Sequence, residues 1–199
     1  MFGFPKKKLS GGSRDPEIMI IAQLNARVQP MDRGEYFEEP LDKVLKSEGI
    51  GEVTGGGTLL ADEPYGIEYS DVEIMVHEAS DSVVQKIVSE LEELGAPKGS
   101  LLKFKDRDDM PFGRLEGMAV FLDGVNLPAE VYETSDVNHI IDTCDKLIEG
   151  VGQMQGYWEG SQETALYFYG TSFDEMQTLT ADFLAAEPLC QNARIVQIA

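Results

Sequence analysis

The chain has 199 residues, 42% of them hydrophobic and 26% charged, enough apolar material for a real core in one large domain or two small ones. Sixteen Lys and Arg stand against 36 Asp and Glu, a formal charge of −20, and a field of that sign argues against nucleic acid and anionic membrane as partners. No stretch reaches the ~18 consecutive apolar residues of a membrane span, and two cysteines, Cys144 and Cys190, are too few for a disulfide framework, so both are expected as reduced thiols in a cytoplasmic protein.

Residues 1–16 read as a basic tail, because Lys6, Lys7, Lys8 and Arg14 all precede the first acidic residue, Asp15. The polar run Leu9–Ser13 gives no apolar stretch of the kind a secretory signal needs. The tail is expected either to be flexible or to dock on the acidic body through Phe2 and Phe4, with Lys6 to Lys8 as counter-charge. From Glu17 to Val28, Ile18, Ile20, Ala22, Leu24, Ala26 and Val28 alternate on one face with Met19 and Ile21 opposite, which predicts a strand partly buried on both sides. Phe37, Leu41, Val44 and Leu45 then recur at helical spacing before Gly49, with Pro40 expected in the first turn of that helix.

Glu52 to Leu60 predicts a strand interrupted by Gly55, Gly56 and Gly57, and Val72, Ile74 and Val76 predict the next. A helix with the stripe Val83, Val84, Ile87, Val88, Leu91 and Leu94 follows, opened by Ser80 or Asp81 and stopped by Gly95 and Pro97. Leu101, Leu102 and Phe104 predict a short strand, and the charged, Pro- and Gly-bearing residues 106–113 predict a linker. The order then repeats. A strand over 115–122 precedes the clearest amphipathic helix in the chain, carrying Val137, Ile140, Ile141, Cys144, Leu147, Ile148 and Val151. Strands over 153–159 and 164–169 come next, then a helix opened by the capping-box spacing of Ser172 and Glu175, then a last strand over 194–198.

Residues 17–105 and 114–199 are thus two successive β-α-β-β-α-β runs, the ferredoxin-like unit used twice in an α+β protein. In that unit helices cover one sheet face and leave the other open. In the second half that other face carries Tyr167 and Tyr169, with Trp158 beside a hairpin turn, and a large exposed aromatic face is uncommon on a soluble protein. Either the two sheets pack together, or they pair in a homodimer, or a ligand lies between them. Single-stranded RNA stacked on the aromatics is the poorest occupant, since the net charge opposes the phosphate contacts that supply most such affinity.

Thr54-Gly55-Gly56-Gly57-Thr58 is the most unusual local string. It runs from strand into strand with no lysine near, so it is not a phosphate-binding loop, and three glycines in a strand mark a bulge or a place where a backbone or ligand comes close. Its five residues, with Trp158, Tyr167 and Tyr169, are the candidate ligand-binding set. His77 and His139 lack partners at metal-ligand spacing, and Asp106, Asp108 and Asp109 are followed by Met110 and Pro111 where a calcium loop needs an oxygen ligand and a glycine, so no metal or cofactor is expected. No nucleophile elbow or Cys-x-x-Cys occurs.

The segments Leu122–Pro128, Tyr157-Trp158, Glu163–Tyr167 and Pro188–Gln191, with Gly51–Thr58 and Leu94–Pro97, resemble a family of uncharacterised, conserved bacterial proteins. The resemblance implies a bacterial source and transfers no activity, substrate or site residue. The reading that follows is a non-catalytic binding protein that engages a basic protein partner, as immunity proteins engage toxic nucleases, or a small effector. The rival is an enzyme with a pocket between the two sheets, built on such residues as Asp71, His77 or Tyr169.

Overall fold

Alternation along β1 (Ile18–Leu24) sends Ile20, Ala22 and Leu24 into a core and Met19, Ile21 and Gln23 to the opposite face. The same period continues past the paired strand, so Ala26 and Val28 are also fully buried. The structure, a computed structural model, describes residues 17–62 and 66–199. The basic tail and its docking through Phe2 and Phe4 lie outside the described residues.

After β1 come α1 (Pro30–Arg33), a π-helical turn (Gly34–Glu38) and α2 (Glu39–Glu48), which form one continuous helical run. Pro40 does lie in the first turn of α2, but the run starts ten residues earlier with Pro30 in its opening turn. The Glu39 N–H reaches back five residues to the Gly34 carbonyl, so the amide that Pro40 lacks falls where the ladder passes from π to α spacing. Gly49 ends the run at φ +66°, the left-handed position that glycine fills without strain. Then follow β2 (Gly51–Leu60), β3 (Ile67–Val76), α3 (Asp81–Glu93), β4 (Ser100–Phe104) and β5 (Met110–Phe112).

The second half is β6 (Glu116–Asp123), α4 (Ala129–Thr134), α5 (Val137–Leu147), β7 (Gly152–Glu159), β8 (Glu163–Gly170), α6 (Phe173–Ala186) and β9 (Arg194–Gln197). The first sheet has the order β2-β3-β1-β4-β5 and the second β7-β8-β6-β9, antiparallel throughout. Leaving β5 aside, each half runs second, third, first, fourth strand across its sheet, which is the ferredoxin-like arrangement expected twice in tandem.

Beside the early start of the first helical run, two further elements depart from expectation. Met110–Phe112, assigned to the linker 106–113, is a fifth strand paired with β4 through Ser100–Phe112 and Leu102–Met110. Met110 and Phe112 pack on the first core, and Pro111 is tolerated because β5 is an edge strand. α4 was not expected at all, since none of its residues is buried and no apolar period announces it.

Each sheet has its helices on one face. Phe37, Leu41 and Leu45 with Val84, Ile87 and Leu91 cover the first. Ile140, Cys144 and Ile148 with Met176 and Leu184 cover Met118, Val120, Leu166 and Phe168 of the second. Each such large aliphatic stabilises the fold by about 1.5–3 kcal/mol relative to exposure. Asp136 caps α5 by accepting the Asn138 N–H at 2.9 Å, and Ser172 caps α6 by accepting the Glu175 N–H at 3.3 Å.

Candidate functional site

The residues after β1 decide what the aromatic face of the second sheet can do. While Ala26 and Val28 point into the first core, Asn25, Arg27 and Gln29 point the other way and hold the second sheet. The Arg27 N–H donates to the Tyr169 hydroxyl at 2.8 Å, and the Arg27 guanidinium lies 5.7 Å from the centre of the Tyr167 ring. Asn25 Nδ2 donates to the carbonyls of Lys98 and Ile198, and Gln29 Nε2 to that of Tyr157. Trp158 is held from the β2–β3 hairpin: a Cβ on Gly66 would come within 2.5 Å of its Cγ. Tyr167 and Tyr169 are fully buried, and burial pushes both phenols up from their usual value. These three candidate residues therefore form the seam between the halves, and the tyrosine pair offers no free surface to a ligand.

The glycine string lies on β2, at the edge of the first sheet, with a register shift between Val53 and Gly55, so a bulge is present. A close approach is present too, and side chains of the same chain make it. A Cβ on Gly56 would stand 2.4 Å from the Asp71 carbonyl oxygen, 2.6 Å from Glu38 Oε1 and 2.8 Å from Arg33 Nε. Those last two atoms form a part-buried ion pair, and Arg33 Nη1 donates to Thr58 Oγ1 at 2.6 Å. Thr54 Oγ1 donates to the Glu73 carbonyl at 3.4 Å. Gly55 and Gly57 face the other way. A Cβ on Gly57 would meet nothing within 4 Å, and one on Gly55 only Glu73 Oε2 at 3.5 Å.

That second direction is the helix-free face of the first sheet. Cross-strand register sets Met19 beside Met75, Ile21 beside Glu73 and Lys103, and Gln23 beside Asp71 and Leu101. On β2, Glu52 pairs with Met75, Gly55 with Glu73 and Gly57 with Asp71. Met19 is 38% exposed, Glu52 and Glu73 are exposed, and Ile21, Met75 and Leu101 are half-buried. The result is an apolar centre of four side chains beside the bare backbone of two glycines, bordered by three carboxylates against Lys103. Of the eight predicted residues, Gly55 and Gly57 open onto this face; Gly56 and Thr58 serve the Arg33–Glu38 pair, and Thr54 is tied to β3. The apolar centre was not singled out from sequence, although the Met19 and Ile21 positions opposite the main stripe of β1 were its signal.

The three candidate catalytic residues do not converge. Asp71 sits mid-sheet, His77 lies at the sheet end near Glu17 and Lys46, and Tyr169 is in the seam. Burial pushes the thiols of Cys144 and Cys190 up to about 12, which keeps them protonated and poor as nucleophiles. Among the described residues no group of three or more His, Cys, Asp or Glu is placed to hold a metal.

Fold and surface together define a class: an α+β protein of two tandem ferredoxin-like halves, one sheet closed by its neighbour and the other open. No protein-family model matches the chain, and no curated protein matches it. Among solved structures it is similar to the first two RRM domains of yeast poly(U) binding protein, at 12% identity over 92% of this chain and 99% of that one, TM-score 0.25. It is similar as well to an unknown protein from Galdieria sulphuraria, at 8% identity over 92% and 98%, TM-score 0.28. A provisionally designated monooxygenase from Lactobacillus acidophilus NCFM aligns at 13% identity over 92% and 94%, TM-score 0.30. Likeness this distant transfers no activity.

Proposed function

We propose that the protein is a non-catalytic binding module that engages a basic protein partner through the open face of its first sheet. The observation that carries this reading is the contrast between the two helix-free faces. The second sheet's face is closed by the chain's own Asn25–Gln29 segment, whereas the first keeps Met19 exposed and Ile21, Met75 and Leu101 only half-buried inside a border of Glu52, Asp71 and Glu73. An apolar centre with a charged rim is the anatomy of a protein interface. A net charge of −20 steers a cationic partner toward it and makes the on-rate fall with salt.

Capture from the native source on immobilised wild type, beside a Glu73→Lys, Met75→Lys double variant, tests the reading. The expected result is a basic protein retained at low salt by the wild type, lost by the folded double variant, and bound again when purified. Equal retention by both, or none by either, overturns it. Sedimentation of the wild type as a dimer that the double variant dissociates also overturns it, because the face would then be a contact between copies.

A further inference from the structure

A groove opens between the helix layer and one end of the sheet in the second half. Register places Tyr157 opposite Leu166, Glu159 opposite Thr164, and Thr164 opposite Leu122. With Ile141 of α5 these side chains line a groove of about 610 Å³, within the size range of small-molecule sites.

Its charge is one-sided. Asp123 and Glu159 line the groove, and among the described residues no Lys, Arg or His does. The two carboxylates differ in what they have left to offer. Asp123 Oδ1 accepts the N–H groups of Val125 and Asn126 and the Asn126 amide, and its Oδ2 accepts from Asn192. Glu159 is exposed, and none of the described side-chain hydrogen bonds or ion pairs engages its carboxylate. Beside it the Tyr157 ring, 46% exposed, presents a π face of the kind that attracts ammonium groups.

We infer that this groove binds an organic cation, a primary amine on an apolar or aromatic body, with the body against Val137, Ile141, Tyr157 and Leu189 and the ammonium against Glu159. An anion would meet two carboxylates and a strongly negative protein, and a neutral ligand would partly desolvate the Glu159 charge without pairing it. The site is separate from the open face of the first sheet, and neither assignment depends on the other.

Titration of the full chain with phenethylamine, phenethyl alcohol and hydrocinnamate, followed by amide shifts in nitrogen-edited NMR spectra, tests the assignment. The amine is expected to shift Asn138, Ile141, Glu159 and Thr164, to bind roughly fivefold more tightly than the alcohol, and to leave hydrocinnamate the weakest of the three. Glu159→Gln, a surface change, should erase the difference between amine and alcohol while keeping the alcohol's affinity; Ile141→Trp should fill the groove and abolish both. No amine binding in the millimolar range, equal binding of amine and alcohol to the wild type, an unchanged preference in Glu159→Gln, or shifts confined to the first sheet would each overturn it.

Discussion

Three consecutive glycines occupy one strand, and their surroundings divide them into a packing residue and two bare ones. At Gly56 a methyl group would meet the Asp71 carbonyl at 2.4 Å and Arg33 Nε at 2.8 Å, and the backbone of a paired strand cannot withdraw cheaply. Gly56→Ala is therefore expected to cost about 2 kcal/mol in urea denaturation. At Gly57 there is open space, and the backbone is not in the left-handed region, so Gly57→Ala should be neutral or stabilising by up to about 0.5 kcal/mol. Equal losses at the two positions would contradict the packing account. Sequence marked this string as a bulge or close approach, and both occur. The approaching group stayed hidden because Arg33 lies in a helical turn far back along the chain, brought to β2 only by the first half's packing.

One carboxylate organises the turn that leaves β6. Asp123 accepts the backbone N–H groups of Val125 at 3.0 Å and Asn126 at 2.9 Å, and ties the turn to the loop before β9 through Asn192. Those backbone donors, more than the side-chain amides, lower its pKa from 3.8 to about 2. A depressed folded pKa means the carboxylate's contribution is complete above the unfolded value near 3.8 and drains away as pH falls through about 2. Asp123→Asn removes the ionisable group, so the stability gap between wild type and variant should be constant near neutrality and shrink between pH about 4 and 2 in urea melts. A gap independent of pH would show that ionisation of Asp123 plays no part. Long elements with an apolar period, such as α5 with Ile140 and Cys144, were legible in the sequence because burial imposes that period. The π-helical turn, the three-residue β5 around Pro111 and α4, none of whose residues is buried, were not, because none is long enough or buried enough to write a period.

At the scale of the whole molecule, the aromatic face of the second sheet announced that something must cover it. What covers it could not be read, because Asn25, Arg27 and Gln29 look like the polar half of an ordinary strand. Their placement couples the halves. One five-residue segment buries Ala26 and Val28 in the first core and bonds to Tyr157, Tyr169 and Ile198 of the second half, so separating the halves uncovers Tyr167 and Tyr169 and breaks the hydrogen bond from the Arg27 N–H. The expected consequence is a single calorimetric transition with matching calorimetric and van't Hoff enthalpies. Tyr169→Phe should lower that one transition by about 1–3 kcal/mol, the cost of a buried donor left unsatisfied, without splitting it. Added salt should raise the melting temperature of both proteins, since screening relieves the self-repulsion of a chain at −20. Two resolved transitions in the wild type would mean that each half holds its fold alone and that the segment merely tethers them. In that case the second sheet's aromatic face would open on local unfolding, and the distinction between one closed face and one open face, on which the binding assignment rests, would fail.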